Sequence, residues 1–213
     1  MNRQTVVPKA TMQRYPIYLK ALRRLQGQGI SRVMSTQLSE YVNIASTTIR
    51  RDLSFIGCLG KQGYGYDVDS LVEVFNQVLG TGFDEKIILI GCGNLGTALL
   101  NYNRWDYVVG EIVMAFDINP ALIGTKVKGI PVYSIDELES RIPEGCRIAI
   151  LAISQDAQDI VERLAKCDVI GIIDFTHTHI VTPKGMIIKP VDIVTNIQEL
   201  VFETNTLKKL KKR

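Results

Sequence analysis

Residues that hold metals or carry redox chemistry are scarce here. The four cysteines, Cys58, Cys92, Cys146 and Cys167, stand far apart and form no C-x-x-C pair. That argues against a zinc ribbon or a redox dithiol and leaves four small buried thiols as the expectation. Histidine is scarcer still, with only His177 and His179. On a strand the two would share a face, as a metal-binding H-x-H does, but no third ligand follows at a recognisable spacing, so no metal is expected. With so few proton-transfer groups, no catalytic constellation stands out. Long apolar runs are missing as well. None reaches the roughly 18 to 20 residues of a membrane span, and the first thirty residues hold no uninterrupted apolar core of the signal-peptide kind. The expectation is a cytoplasmic protein with no membrane partner.

What is present is an ordinary globular composition: 213 residues, 22% charged and 46% hydrophobic, enough for two small domains that each bury a core. The net charge of +3 conceals an uneven distribution. Residues 1–80 carry ten basic against five acidic side chains, residues 81–207 ten against seventeen, and residues 208–213 five basic ones. A basic front on an acidic body suggests that the front meets a polyanion, although a solvated basic face would have the same composition.

Along residues 11–27, Tyr15, Ile17, Tyr18, Leu19, Leu22 and Leu25 recur at three- and four-residue spacings, which predicts an amphipathic helix with Lys20, Arg23 and Arg24 outside. A second, short helix is expected from an N-cap at Ser35 or Thr36 to Val42, broken by Asn43. A third should run from Ala45 or Ser46 to about Ile56, with Ile49, Leu53 and Ile56 inside and Ser46, Thr47, Arg50, Arg51 and Ser54 outside. Four glycines and two tyrosines in residues 57–66 suit a tight β-hairpin. Three helices and a hairpin read as a winged helix-turn-helix over residues 1–80. Arg50 and Arg51 would then read base edges or hold phosphates, Ser46, Thr47 and Ser54 would fix the backbone, and Lys61, Gly63 and Tyr64 would reach the adjacent groove. The competing reading is a solvated helix and an ordinary hairpin.

The polar stretch at residues 81–85 is the best boundary. Beyond it, short apolar runs at 87–90, 112–116, 148–153 and 169–175 read as parallel strands buried on both faces. Helical patterns at 94–102, 134–140 and 156–166 alternate with them, the second opened by a Ser134/Glu137 capping box. The order predicts an α/β class with a doubly wound parallel sheet, a Rossmann domain over residues 84–191. A long helix follows within residues 192–213. It is apolar enough to need a partner surface, on its own body or on a second subunit, and it ends in a basic tail.

The strongest motif is Gly91-Cys92-Gly93-Asn94-Leu95-Gly96, a G-x-G-x-x-G directly after a predicted strand and opening a predicted helix. Gly91 would permit the turn, Gly93 close approach of a pyrophosphate, and Gly96 close helix packing. Asp117, 21 positions after Gly96 at the end of the second strand, could accept hydrogen bonds from an adenosine ribose and would repel a 2′-phosphate, so NAD(H) is favoured over NADP(H). Glycines serving only a tight turn are the plainer alternative. No length remains after about residue 190 for a substrate domain, which weighs against an oxidoreductase.

The chain resembles the Rex family of redox-sensing transcriptional repressors nearly end to end. The resemblance rests on residues 8–11 (PKAT), 45–57 (ASTTIRRDLSFIG), 63–68 (GYGYDV), 93–102 (GNLGTALLNY) and 115–117 (AFD). It implies a homodimer on palindromic double-stranded operator DNA, a C-terminal helix swapped between subunits, and NADH and NAD⁺ as regulatory ligands, with NADH releasing the DNA. It also implies a contact relay of Arg14, Tyr102 and Asp192 between the two domains and the terminal helix. Departures from the family lie at the nicotinamide end, where Ala152-Ile153-Ser154 replace a usual Thr-Val-Pro and Asp174-Phe175-Thr176-His177 a usual Asn-Phe-x-Pro. Asn196, in the terminal helix, replaces a common glutamate. Ala152, Ile153, Ser154, Phe175 and His177 are therefore expected to line that end. Two other readings remain open at this point: a family-like DNA-binding protein that no longer distinguishes NADH from NAD⁺, and a small NAD-dependent oxidoreductase with a DNA-binding head.

Overall fold

The structure is a computed structural model that describes residues 7–58, 60–61, 63–80, 85–101, 110–155 and 157–210. The chain divides into two compact units, Met1–Gly82 and Phe83–Arg213.

In the first unit, α1 (Lys9–Gly27) buries Thr11, Tyr15, Tyr18, Leu19, Leu22 and Leu25 along one stripe. Ile17, expected inside, is 45% exposed; at 100° per residue it lies about a third of a turn off that stripe. After β1 (Arg32–Val33) come α2 (Ser35–Val42) and α3 (Ser46–Phe55). Ser35 is the first helical residue of α2 and not its cap. The cap position is Met34, whose N–H donates to Gln37 Oε1 at 2.8 Å. Asn43 ends the helix with φ 52°.

The expected hairpin is shorter than residues 57–66: a single bridge joins Lys61 to Gly65, and β2 (Tyr66–Asp67) pairs antiparallel with β1. The sequence reading missed α4 (Val68–Leu79). Its signal is plain in retrospect, since Val68, Leu71, Val72 and Phe75 are buried at helical spacing. Asp67 caps the helix by accepting from Ser70 N at 2.9 Å, and Gly80 closes it in the left-handed region. Phe75 meets Tyr15 edge-on at 5.3 Å, within a core that includes Leu22, Leu38, Ile49 and Leu53.

Inside that core lies a carboxylate. Asp52 of α3 is 1% exposed and accepts from Thr11 Oγ1 at 3.0 Å, Tyr18 Oη at 2.6 Å, and Arg14 Nε and Nη2 at 2.6 and 2.8 Å. Burial alone would push its pKa up, but the hydrogen bonds from Arg14, Tyr18 and Thr11 outweigh burial and hold it below the usual carboxylate value.

The second unit comprises β3 (Glu85–Ile90), α5 (Asn94–Leu100), β4 (Gly110–Asp117), β5 (Lys126–Val127), β6 (Ile130–Ser134), a 3₁₀ turn leading into α6 (Leu138–Arg141), β7 (Ile148–Leu151), α7 (Ala157–Lys166), β8 (Gly171–Asp174), β9 (Ile187–Pro190) and α8 (Ile193–Leu210). The sheet order is β5-β6-β4-β3-β7-β8-β9, parallel throughout except β5 with β6. Leaving out β5, this is the 3-2-1-4-5-6 order of the dinucleotide-binding fold. Central β3 is buried from Ile87 to Ile90. Strands β6 and β9 escaped the sequence reading because each contains a proline and keeps exposed or half-buried positions. The Ser134/Glu137 capping box does not form. Ser134 Oγ accepts from Asp136 N at 3.2 Å, while Glu137 pairs with Arg141 one turn on. Helix α8 has no buried residue. No helix among the described residues is long and apolar enough to cross a membrane.

Replacing Asp52 by Ala strips Arg14 and Tyr18 of their acceptor and should destabilise the first unit by about 3 kcal/mol, read as a lowered denaturant midpoint. A depressed carboxylate stabilises above its unfolded pKa. The Asp52 contribution should therefore be complete above about pH 4 and disappear as pH falls further, and in Asp52→Asn this acid-dependent part should vanish. A variant with the native midpoint and native acid profile would show that the cluster contributes nothing.

Candidate functional site

Strands β3 and β7 are neighbours whose connections run in opposite directions, β3 through α5 to β4 and β7 through α7 to β8, so a crevice opens beyond their carboxyl ends. The cleft there measures about 780 Å³. Gly91, Gly93, Leu95, Asp117, Ala152, Ile153, Ser154, Phe175 and His177 line it. The other three residues of the motif do not: Cys92 is buried beneath the loop, Asn94 begins α5, and Gly96 packs underneath. Burial, together with the charge of Asp117, pushes the Cys92 thiol up to about 11, so it is a packing residue and not a nucleophile.

The three glycines answer different constraints. Gly91 has φ +96°, and a Cβ there would lie 2.5 Å from the Ala152 carbonyl oxygen. At Gly96 a Cβ would fall 1.9 Å from the Gly91 oxygen. Around Gly93 a Cβ would meet nothing within 4 Å, and its φ of −63° is open to any residue. The chain itself therefore does not require glycine at 93. Thr97 N donates to the Gly93 oxygen at 2.8 Å, so residues 93–96 supply the first-turn amides that lack intrahelical partners.

Asp117 sits at the end of β4 as expected. One carboxylate oxygen accepts from Cys92 N at 2.5 Å and the other from Asn119 N at 2.7 Å, which ties the glycine loop to β4 and leaves each oxygen capacity for another donor. Beside it stand residues that the sequence reading did not name: Ile118, 81% exposed, with Ile135, Gln155, Asp159, Ile160 and Arg163. The crossover rule brings α7 back beside the cleft and could have found Ile160. Arg163 has no such signal, because its partner Glu139 is 24 positions away; the two pair at 2.6 and 2.7 Å and Arg163 also reaches the Ile135 oxygen. That pairing holds the Glu139 carboxyl down to about 2. At the other end, Phe175 N donates to the Leu151 oxygen at 2.9 Å, and buried Asp174 accepts from Thr176 N at 2.7 Å. These bonds fix the loop that carries His177. Among the described residues no group of three or more His, Cys, Asp or Glu side chains is placed to hold a metal.

In the first unit, Thr47, Arg50, Arg51 and Ser54 are exposed on α3 and Ser46 is half-buried. Ser54 Oγ donates back to the Arg51 oxygen at 2.6 Å. Lys61, Gly63 and Tyr64 are exposed at the turn. Arg32 of β1 lies over the Tyr64 ring at 5.5 Å, a neighbour that only the β1–β2 pairing reveals. Of the expected relay, Arg14 is bonded to Asp52 within the first unit. Asp192 belongs to the second and caps α8, accepting from Val194 N and Thr195 N at 2.9 and 3.0 Å. Tyr102 lies outside the described residues.

A helix-turn-helix with a basic outer face, followed in the chain by a doubly wound sheet with a glycine-loop cleft, has the parts of a transcription regulator with a nucleotide-binding domain. Residues 83–178 match the family described as "CoA binding domain" and residues 6–54 the family described as "Putative DNA-binding protein N-terminus". Full-length relatives agree. The redox-sensing transcriptional repressor Rex of Anoxybacillus flavithermus is 43% identical over 202 residues, covering 94% of this chain and 95% of its own, and that of Bacillus subtilis 43% over 204 residues, covering 95% and 94%. The crystal structure of RSP in complex with β-NAD⁺ and operator DNA is similar at a TM-score of 0.86 and 31% identity, over 98% of this chain and 97% of that one. The RSP complex with β-NADH gives 0.85 and 30%, over 98% of both chains. The chain belongs to the Rex family of redox-sensing transcriptional repressors.

The glycines offer a clean contrast. Gly96→Ala should destabilise the second unit by at least about 3 kcal/mol, since backbone must move to admit the methyl group, whereas Gly93→Ala should stay within about 0.5 kcal/mol of the native chain. Thermal unfolding of both variants checks this, and equal losses would contradict the assigned roles.

Proposed function

We propose that this chain is a cytoplasmic repressor that binds a palindromic operator as a homodimer and leaves it when NADH enters the cleft of the second unit, so that transcription follows the NADH/NAD⁺ balance. The observation that carries the ligand half is the unoccupied side of Gly93. A position that tolerates a Cβ sterically yet is glycine, in a loop whose free amides converge, fits close approach of a pyrophosphate. Asp117 would accept the adenosine ribose hydroxyls with its remaining lone pairs, and Ile118, Ile135 and Ile160 would flank the adenine. Ala152, Ile153, Ser154, Phe175 and His177 would surround the nicotinamide. The RSP structures with β-NADH and β-NAD⁺ support this reading.

For the operator, α3 would enter the major groove. Arg50 and Arg51 would meet base edges or phosphates and Ser46, Thr47 and Ser54 the backbone, with Lys61, Gly63 and Tyr64 at the adjacent groove. The apolar side chains of α8, Ile193, Ile197, Leu200, Val201 and Phe202 among them, are each more than half exposed, which supports a second copy as their partner and hence a two-fold operator. Arg14 and Asp192 already have partners within their own units, so a relay through them and Tyr102 would use their remaining hydrogen-bonding capacity or exchange those partners between the DNA-bound and NADH-bound forms. Linkage fixes the energetics: NADH must bind the non-DNA form more tightly by about 1 to 3 kcal/mol or more, and operator DNA must weaken NADH binding by the same factor.

Titration with NADH and NAD⁺, with and without a palindromic fragment, tests the whole. Operator affinity that is unchanged at saturating NADH would defeat the sensor reading, and equal dissociation constants for the two nucleotides would favour a family member without redox discrimination. Two variants separate the halves. Arg50→Ala with Arg51→Ala should abolish specific DNA binding and spare NADH binding, while Gly93→Ala should raise the NADH dissociation constant by about tenfold or more in a folded protein.

A further inference from the structure

We propose that Gln158 is a positioning residue for the nicotinamide end of the cleft, holding the loop between β8 and β9 against α7. This rests on the nucleotide-binding reading above. Residues 175–186 connect the two strands without regular secondary structure, where about two to six residues are usual in an α/β domain. The loop has no proline before Pro183, so no ring fixes the backbone where Phe175 and His177 line the cleft. Its two ends are tied into the sheet. Phe175 N donates to the Leu151 oxygen at 2.9 Å and Ile187 N to the Ile170 oxygen at 2.7 Å, and Thr176 N donates to Asp174 Oδ1 at 2.7 Å.

Between those ends, the backbone of residues 177–182 makes hydrogen bonds among the described residues only at Val181, and both are to Gln158. Val181 N donates to Gln158 Oε1 at 2.8 Å, and Gln158 Nε2 donates to the Val181 oxygen at 3.4 Å. One side-chain amide thereby offers Val181 the donor and the acceptor that a neighbouring strand would supply. Glu162, one turn along α7, accepts from the same Nε2 at 3.0 Å, which sets the amide with Oε1 toward Val181 N. Next to Val181, Ile180 packs against the core that includes Val161 and Leu164 of α7. With this clamp closed, the untethered stretch at the cleft is residues 177–180; with it open, the next backbone tie to the sheet is at Ile187.

The sheet order shows which part of a ligand would sense the difference. Strands β4, β3, β7 and β8 are consecutive neighbours. A dinucleotide with its adenosine ribose at Asp117 and its pyrophosphate at the glycine loop therefore directs its other ring to the ends of β7 and β8, beside Phe175 and His177. Asp159 and Ile160 line the cleft and Gln158 does not, so Gln158 acts through the loop. A wall that must be ordered when the ring arrives subtracts that ordering from the affinity, and a wall already held does not.

The experiment measures dissociation constants of NADH and of ADP-ribose, which lacks the nicotinamide ring, for the full chain in the native protein, Gln158→Ala and Gln158→Met. Both variants should bind NADH about three- to tenfold more weakly, and ADP-ribose within about twofold of the native value. Equal weakening of the two ligands would mean that α7 itself is disturbed, and unchanged NADH binding that the clamp is idle; either overturns the assignment. Native NADH affinity in Gln158→Met alone would make the side chain's bulk and not its hydrogen bonds responsible, and overturns it too. Failure of the native chain to bind either ligand overturns the nucleotide reading itself, and this inference with it.

Discussion

The second unit depends on a single close approach. The first turn of α5 comes so near the end of β3 that residue 96 has no room for a side chain beside the Gly91 oxygen. That approach sets where the α5 amides stand relative to the sheet, and it places them at the mouth of the crevice between β3 and β7. Moved outward by a methyl group's width, the helix would no longer hold four converging donors over the strand ends. The Asp117 carboxylate braces the same loop from β4 by accepting from Cys92 and Asn119, so the residue proposed to meet a ribose also holds the loop proposed to meet a pyrophosphate.

The first unit solves a different problem. A helix that offers arginines to solvent has little apolar surface with which to hold itself down, and α3 contributes only Ile49 and Leu53 as buried apolar side chains. Asp52 supplements them. Next in sequence to Arg50 and Arg51, it points the opposite way and collects hydrogen bonds from three residues of α1. The four hydrogen bonds on that carboxylate tie α3 to α1 in one orientation, and orientation is what the proposed DNA-reading role of α3 needs.

The sequence made the layered architecture legible because its signals are local: four apolar runs, a glycine motif set between strand and helix, and an arginine pair on one helical face. It concealed whatever depends on pairing across the chain. The wing draws its second strand from β1, thirty-odd residues away. Strands β6 and β9 carry prolines and little periodic contrast, and Arg163 is fixed by a glutamate on another helix. Helix α4 was a different kind of miss, since its period is visible in Val68, Leu71, Val72 and Phe75 and was not read at all. The motif and its spacing named Gly91 to Gly96 and Asp117, the family resemblance named Ala152, Ile153, Ser154, Phe175 and His177, and the structure separates the nine that face the cavity from the three motif residues that support it.

Helix α8 has a consequence for the life of the chain in a cell. Eighteen residues without one buried side chain hold little helical structure by themselves in water, so a newly made protomer presents a greasy, frayable end until that surface is covered. With a second copy as the proposed cover, folding and association become one equilibrium, and the persistence of the protein depends on how much of it there is. A protomer too dilute to have met a second copy is the form that a protease or chaperone meets first. Abundance is thereby held to a floor below which the regulator does not accumulate in a usable state.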